Sequence, residues 1–366
     1  MEKYIKLEEL EKFCTAALVK AGLPESDAKI VADVLITADK LGIDSHGINR
    51  LKPIYLDRIK DGILNPLTKI DVIKESPTTV LLDANNGMGH VVSKTAMQMC
   101  IDKANTYGMG MATVRNSSHY GIAGYYGLMA EKSGMIGITG TNARPSIAPT
   151  FGVENMLGTN PLTFVMPTDE EFPFFLDCAT AVSQRGKFEY YAKSGKELPK
   201  GWVIDKNGQS KTNATEVLED LISGRAALTP LGGIGEDTAG YKGYGYATVV
   251  EILSAALQTG NFLKALTGFE NGKKVPYRLG HFFIAVKIEN FVGLNEFQKT
   301  TGDILRELRN SEKMPGAERI YTAGEKEYIE SCKRTEKGVP INKILLDEMQ
   351  SISEEYELNE FKYFFE

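Results

Sequence analysis

Apolar positions in the N-terminal part of the chain recur with helical spacing. A first predicted helix has one apolar face, formed by Leu10, Phe13, Cys14, Ala17 and Leu18, and Gly22 can end it. Ser26 is the predicted N-cap of a second helix, whose stripe of Ile30, Val31, Val34, Leu35 and Ala38 runs to Gly42. A third helix, with Leu51, Ile54, Tyr55 and Ile59 on its apolar face, is predicted to end at Gly62.

The pattern changes near residue 69 to short β-rich runs separated by glycine, at residues 79–83, 111–114, 136–139 and 162–166, with a helix over 92–104. After residue 297 the chain is helical again, and a last helix is predicted from 342 to about 354. The fold class is therefore α/β (α+β). We expect a helical domain built from residues 1–75 and 297–366 and a central mixed-sheet domain over 76–296.

Composition and charge narrow the class of protein. A length of 366 residues favours two domains over one. The 42 basic and 48 acidic residues are mixed along the chain, so no basic stripe is present and nucleic acid is not expected as a partner. The acidic N-terminus does not resemble a secretion signal, and no apolar run is long enough to span a membrane. The four cysteines are far apart, which argues against a zinc site and fits a cytoplasmic protein.

Only four histidines are present, and two of them lie in polar, glycine-bounded loops. His46 follows a predicted helix and His119 follows a predicted strand. Histidine is the usual proton donor or acceptor near neutral pH, so both are candidates for acid-base chemistry. The alternative, that each only braces its loop, stays open on residue type alone. His90 and His281 are expected to be structural.

Arg50 comes four residues after His46, near the predicted start of a helix. Its planar fork of donors suits a substrate carboxylate, although a surface arginine would have the same spacing. Acyl transfer through Ser45 is disfavoured, because adjacent side chains diverge and the chain has no GxSxG elbow.

The glycine-rich segments do not form a GxGxxG dinucleotide-binding motif. The better candidate for an anion site is the run at residues 240–245, predicted as a loop ahead of a helix over 247–257. Backbone N–H groups at a helix start, together with Lys242, can bind a phosphate. A flexible turn is the other interpretation.

Several ordered motifs together resemble the type-2 malate/L-lactate dehydrogenase family along nearly the whole chain. The motifs are Asp44-Ser45-His46-Gly47-Ile48-Asn49-Arg50-Leu51, Asn116-Ser117-Ser118-His119-Tyr120-Gly121, Gly158-Thr159-Asn160-Pro161-Leu162, Asp177-Cys178-Ala179-Thr180, Gly186-Lys187, Gly201-Trp202 with Asp205, Pro230-Leu231-Gly232-Gly233 and Lys242-Gly243-Tyr244-Gly245.

The resemblance implies an oxidoreductase that transfers a hydride between NAD(P)H and a small 2-oxo or 2-hydroxy acid, in a fold unrelated to Rossmann enzymes. It favours a malate or lactate dehydrogenase with NAD rather than NADP, and ureidoglycolate or sulfolactate dehydrogenase is the alternative. It also implies a homodimer or higher homo-oligomer, with the cofactor in the central domain near a subunit interface. A non-catalytic ligand-binding protein of the same fold is the alternative from another class.

The resemblance also assigns roles to individual residues. His119 matches the general acid/base, and His46 matches a histidine to which some members give that role. The substrate-binding positions are Ser45, Arg50, Thr159 and Asn160, with Arg50 as the carboxylate clamp. The cofactor-binding positions are Ala143, Asp177, Cys178, Ala179, Lys242, Ala323, Gly324 and Glu325. No metal is expected.

Overall fold

A computed structural model describes residues 3–366. Its helices are α1 (Leu7–Lys20), α2 (Glu25–Lys40), α3 (Asp57–Lys60), α4 (Gly89–Tyr107), α5 (Gly124–Glu131), α6 (Arg185–Lys193), α7 (Ala214–Ile222), α8 (Gly240–Ala255), α9 (Leu294–Asn310), α10 (Glu325–Lys337) and α11 (Lys343–Glu355). Its strands are β1 (Lys3–Ile5), β2 (Asp71–Glu75), β3 (Thr79–Asp83), β4 (Met109–Ser117), β5 (Met135–Thr141), β6 (Leu162–Met166), β7 (Phe174–Cys178), β8 (Val203–Asp205), β9 (Ala226–Leu228), β10 (Phe269–Glu270), β11 (Lys273–Lys274), β12 (Leu279–Lys287) and β13 (Val339–Ile341).

Seven strands form the central mixed sheet, in the order β2-β3-β4-β12-β5-β6-β7. Strands β3 and β4 are parallel, and the other neighbours are antiparallel. Alternate residues of β12 point to opposite faces. Phe283 and Ala285 join a core with α4 and α5, whereas Gly280 packs against the backbone of α8. Helices therefore cover both faces of this sheet, as the α/β prediction requires.

The two ends of the chain meet in a separate helical core. Strands β1 and β13 pair antiparallel, with Lys3 opposite Ile341. The apolar faces of α1 and α2 then pack with α11 and with the C-terminal Phe361 and Phe364. The expectation of a helical layer made from both ends agrees with this core. The exact domain boundaries stay a prediction. Strand β2 belongs to the central sheet but ends at Glu75, just before the predicted boundary at residue 76.

A third, smaller core lies beside the sheet. It joins α6, α7, β8 and β9 through buried residues such as Phe188, Val203 and Val217. It also reaches Ala247 on α8. The sequence pattern does not distinguish this unit from the central domain, because its helices and strands are short.

Most of the predicted helices and strands are confirmed, including β3 and β6 with the same bounds. The predicted N-cap at Ser26 is wrong, because α2 begins at Glu25 after Pro24. The third helix is divided, with a wide π-type turn over Leu51–Leu56 that contains Pro53. A proline lacks the N–H that a regular helix would need there. No helix among residues 3–366 is long and apolar enough to cross a membrane.

The predicted glycine loop at residues 240–245 is also wrong, because these residues form the first turns of α8. The glycines are needed for packing rather than for flexibility. A β-carbon on Gly243 would stand 2.2 Å from the carbonyl oxygen of Leu231, and one on Gly240 would stand 2.1 Å from that of Gly233. The start of α8 therefore lies directly against the loop at residues 231–235.

Candidate active site

The turn that carries His46 rests on a buried carboxylate. Gly47 lies so close to Asp39 that a β-carbon on it would stand 1.8 Å from a carboxylate oxygen. Asp39 accepts a hydrogen bond from the Ile48 N–H at 2.8 Å. Burial raises the pKa of Asp39 to about 7. Glycine is required after His46 because any larger residue would push the turn away from this carboxylate.

Two arginines brace the same turn from other sides. Arg334 of α10 donates to the Asp39 carbonyl at 2.6 Å and forms an ion pair with Asp44. Arg50 donates from Nε to the Ser45 carbonyl at 2.5 Å. This bond does not involve the two terminal amino groups of Arg50, which stay able to hold an anion.

The loop that carries His119 leaves the end of β4 and is tied to the start of α4. Ser118 donates its hydroxyl hydrogen to the Gly87 carbonyl at 2.9 Å and accepts from the Gly89 N–H at 2.9 Å. Both bonds are buried. His119 is therefore attached to the sheet through a short, well-anchored segment.

The two loop histidines come together and share a tyrosine. The rings of His46 and His119 stack with centroids 5.6 Å apart and planes 20° apart. Tyr55 Oη lies 2.6 Å from Nδ1 of His119, and the Gly121 N–H donates to the same nitrogen at 3.3 Å. Two donors on Nδ1 leave the proton of neutral His119 on Nε2. Nδ1 of His46 lies 2.8 Å from Ser45 Oγ.

Burial and neighbouring cations disfavour the protonated form of both rings. Burial, with Arg50 nearby, lowers the pKa of His46 to about 4. The pKa of His119 is also lowered, first by burial and then by His46, His90 and the guanidiniums of Arg58 and Arg50. An anion that offsets the two arginines would raise both pKa values again.

A cavity of about 360 Å³ opens on the His46 side of this pair, where the helical, sheet and small cores meet. This volume lies within the usual range for small-molecule sites. Its polar lining consists of Ser45, His46, Thr159, Asp177, Cys178, Ser183, Gln184 and Lys187. Apolar residues such as Ile122, Val182 and Leu231 form the rest of its wall. His119 does not line the cavity but lies next to it, behind the His46 ring.

Asp177 stands at the end of β7 and holds the neighbouring elements together. Its carboxylate accepts from the Gly124 N–H at the start of α5 at 2.7 Å and from Thr163 Oγ1 at 2.9 Å. Burial raises its pKa above the usual aspartate value. Cys178 and Ala179 follow it along the cavity wall. These three predicted cofactor positions therefore lie beside the predicted substrate positions Ser45 and Thr159.

Other predicted site residues lie outside the cavity. Asn160 is fully buried and donates to the Glu251 carboxylate at 2.8 Å and to the Ala247 carbonyl at 3.0 Å. Ala143 does not line the cavity, but its carbonyl would stand 2.4 Å from a β-carbon on Gly158. Asn160 and Ala143 thus shape the loop next to Thr159 rather than its exposed surface.

The predicted cofactor positions Ala323, Gly324 and Glu325 lie near the beginning of β7. The Ala323 carbonyl accepts from the Phe175 N–H at 3.3 Å. Gly324 has a φ of +96° at the start of α10. Glu325 is buried and paired with Arg319. Lys242 is exposed on the first turn of α8 and does not line the cavity.

Sequence reasoning missed three residues that this arrangement uses. The sequence pattern places Tyr55 only on an apolar helix face, yet its hydroxyl contacts His119. A buried tyrosine usually has a partner for its hydroxyl, and that rule was the available signal. Gln184 and Lys187 line the cavity. Lys187 stood in a matching motif without an assigned role, and Gln184 carried no distinguishing signal.

Comparisons with known proteins confirm the resemblance. The sequence profile described as malate/L-lactate dehydrogenase matches residues 5–350. A malate dehydrogenase of Pyrococcus abyssi is 45% identical over 354 residues, which cover 96% of this chain and 95% of that protein. An L-sulfolactate dehydrogenase of Methanocaldococcus jannaschii is 39% identical, with 97% of this chain and 98% of that protein covered.

A solved structure leads to the same family. The crystal structure of a malate dehydrogenase from Entamoeba histolytica superimposes with a TM-score of 0.94 at 47% identity, and the match covers 98% of this chain and 99% of that one. The chain therefore belongs to the malate/L-lactate dehydrogenase family, and it is an oxidoreductase that acts on hydroxy acids with a nicotinamide cofactor.

Proposed function

We propose that this protein reversibly reduces a small 2-oxo acid to the 2-hydroxy acid with NADH, and that malate and oxaloacetate are its preferred pair. The observation that carries the proposal is the stacked pair of His46 and His119 next to Arg50. Such a group offers a proton and a carboxylate clamp at one place, as reduction of a 2-oxo acid requires. The 45% identity to a protein named malate dehydrogenase supports the choice of substrate.

The cavity beside His46 fits the nicotinamide half of the cofactor. It offers hydrogen-bonding groups on Asp177, Gln184 and Lys187 for an amide and ribose hydroxyls, and an apolar wall at Ile122 and Leu231 for a ring. We propose that Asp177, Cys178, Ala179 and Lys187 hold the cofactor, with Ala323, Gly324, Glu325 and Lys242 toward its far end. Bound there, the nicotinamide supplies the hydride.

The residues of this chain then have two tasks. Arg50 binds the C1 carboxylate through its terminal amino groups and orients C2. The anionic groups of the bound substrate offset the nearby arginines, so His119 is protonated on both ring nitrogens before the reduction. As the C2–H bond forms, the electron pair of the carbonyl π bond moves to the oxygen, and the imidazolium of His119 gives that oxygen its Nε2 proton and keeps the Nδ1 proton, which it donates to Tyr55 Oη. In the oxidative direction neutral His119, with its proton on Nδ1, takes the hydroxyl proton back on Nε2. Ser45 and Thr159 are the further substrate contacts that we propose.

A substrate panel tests this function. Purified protein is mixed with NADH or NADPH and with oxaloacetate, pyruvate, 3-sulfopyruvate or oxalurate, and the absorbance at 340 nm is followed. We expect the fastest loss with NADH and oxaloacetate. Fastest turnover of 3-sulfopyruvate would assign the sulfolactate reaction instead, and no turnover of any 2-oxo acid would favour a non-catalytic ligand-binding protein.

We propose a homodimer in a reducing, cytoplasmic environment. One side of α8 exposes Tyr246, Val249 and Ile252 by 57%, 47% and 54%. An exposed apolar helix face of this kind can pair with its own copy about a two-fold axis. The free cysteines support the reducing compartment. Sedimentation of the wild type and of Val249→Asp should give a dimer and a monomer, respectively, whereas a monomeric wild type would contradict the proposal.

A further inference from the structure

Arg58 is a half-buried arginine of α3 whose guanidinium lies 4.2 Å from the ring centre of Tyr277. Tyr277 precedes β12 and belongs to the sheet-containing part of the chain. The hairpin formed by β10 and β11 contacts the end of the same helix. Lys274 on β11 forms an ion pair of 2.7 Å with Asp61, the residue that follows α3. Stacking on a ring fixes the plane of a guanidinium and leaves its edge able to donate hydrogen bonds.

Arg58 stands among other cations rather than carboxylates. Burial lowers the pKa of Arg58. The nearby phenols of Tyr277 and Tyr55 raise this pKa in part, and the guanidiniums of Arg144 and Arg50 lower it further. Among residues 3–366 we find no ion pair that involves Arg50, Arg58 or Arg144. Arg50 and Arg58 are partly buried, and partly buried cations without an ion-pair partner are costly in a folded protein. A cluster of this kind is therefore typical of a site that an anion completes.

One carboxylate would need only one of these arginines. Arg50 is held by the Ser45 carbonyl on the His46 side, and both Arg50 and Arg58 are near enough to act on His119. Arg58 also comes three residues after Tyr55, whose hydroxyl contacts His119. A dianionic substrate whose C2 oxygen meets His119 therefore has two guanidiniums in its neighbourhood, one for each anionic group. Arg144 is exposed and lacks the aromatic support of Arg58.

We propose that Arg58, stacked on Tyr277, binds the second anionic group of a dianionic 2-oxo acid, and so selects dianions over monoanions. This inference rests on the proposed function and names the residue that sets its substrate class. The second group is a carboxylate or a sulfonate, because both present coplanar pairs of oxygens to the guanidinium edge. Arg50 keeps the C1 carboxylate, which all 2-oxo acids share.

The test compares three substrates that differ only at the far end. Oxaloacetate carries a carboxylate there, 3-sulfopyruvate carries a sulfonate, and 2-oxobutyrate carries a neutral methyl group. We expect Arg58→Gln to lower kcat/KM for the preferred dianion by at least about 30-fold, the effect of removing one partner of a buried charge pair. For 2-oxobutyrate we expect a loss of no more than about 3-fold, as for a residue that the substrate does not contact.

Matched variants separate this role from general damage. Arg50→Gln should lower kcat/KM for all three substrates, because each has the C1 carboxylate. Arg144→Gln and the remote Arg225→Gln should leave the ratio of dianion to monoanion unchanged. Tyr277→Leu should reduce that ratio less than Arg58→Gln does, because it removes the support but keeps the charge.

Calorimetric binding provides a readout besides turnover. L-malate and (S)-2-hydroxybutyrate are titrated into wild type and Arg58→Gln in the presence of NADH, with which these hydroxy acids cannot react. We expect the variant to lose affinity for malate alone. Three results would each overturn the assignment. Arg58→Gln could lose equal affinity for the dianion and the monoanion, or it could keep the wild-type affinity for malate. Alternatively, the preference for dianions could depend on Arg50 instead. Absence of turnover in the wild type would refute the proposed function, while the binding ratios would still decide the role of Arg58.

Discussion

Tyr55 and His119 are joined by a hydrogen bond of 2.6 Å between the phenol oxygen and Nδ1. A phenol can donate to a neutral imidazole and can accept from a protonated one. Tyr55 is therefore a suitable partner in both protonation states that the proposed reaction requires. It also lies edge-on to His90, with ring centroids 4.8 Å apart, which limits how far it can move.

We predict that Tyr55→Phe lowers kcat by about 10- to 100-fold, somewhat less than loss of a full acid-base group. The ring and its packing remain, so the cofactor dissociation constant should change little. The measurement is kcat for oxaloacetate reduction against pH, together with NADH titration. A variant with wild-type kcat at every pH would show that the Gly121 N–H alone is enough to orient His119.

The assignment of the proton donor leads to a second prediction. His119→Ala should lower kcat by about 100- to 10,000-fold, because His119 is the positioned acid. His46→Ala should affect KM and cofactor binding more than kcat, because His46 stacks on His119 and lines the cavity. Steady-state kinetics of both variants at saturating NADH make the comparison. If His46→Ala has the greater effect on kcat, the two roles must be exchanged.

The sequence predicted the elements that local pattern controls. The faces of α1 and α2 follow from regular apolar spacing, and the five buried residues predicted for α1 are all buried. The small number of histidines also identifies His46 and His119 as candidates from the sequence alone. What the sequence could not provide was the contact itself, since the two residues are brought together by the packing of α2 and β4 on α4.

The glycines at the start of α8 show why local signals fail elsewhere. Glycine suggests a flexible loop, yet Gly240 and Gly243 are helical because the loop at residues 231–235 leaves no room for a side chain. Tyr55 is a similar case. Its apolar neighbours along the helix indicate a buried apolar face, and they do not indicate the hydrogen bond between its hydroxyl and His119. In both cases the deciding neighbour is distant in sequence.

Cofactor binding provides a third prediction, which compares two lysines. Lys187 lines the cavity, and its Nζ lies 5.5 Å from the ring centre of Trp202, the single tryptophan of the chain. NADH should therefore quench Trp202 fluorescence. We expect Lys187→Ala to weaken NADH binding by about 10-fold, the usual effect of losing a charge-assisted hydrogen bond.

Lys242→Ala tests the other end of the proposed cofactor site. It should weaken binding less than Lys187→Ala does, because Lys242 is exposed on α8 and outside the cavity. Titrations that monitor the single tryptophan give both dissociation constants under the same conditions. If both lysines can be removed without changing either NADH or NADPH affinity, the cofactor must bind elsewhere. A loss confined to NADPH for Lys242→Ala would instead place a phosphate beside it.

The last prediction concerns stability in acid. Burial lowers the pKa of His90 and of His281 to about 3, and that of His46 to about 4, whereas an unfolded chain has histidine pKa values near about 6.5. As pH falls below that value the unfolded state binds protons and the native state does not, so the free energy of unfolding must fall. Each such histidine contributes at most about 1.4 kcal/mol per pH unit.

Asp39 acts in the opposite direction, because its raised pKa of about 7 makes the native state bind an extra proton between that value and the pKa of an unfolded aspartate. The histidines outnumber it, so urea midpoints should decrease from pH 7 to pH 5. Neither ring nitrogen of His90 has a hydrogen-bond partner among the described residues. His90→Phe should therefore reduce the pH slope by about one proton, whereas Ile101→Val, a buried control, should lower stability without changing the slope. An unchanged slope in His90→Phe would mean that His90 is already protonated or water-exposed in the native protein, and the acid sensitivity would then have to come from His46, His119 and His281.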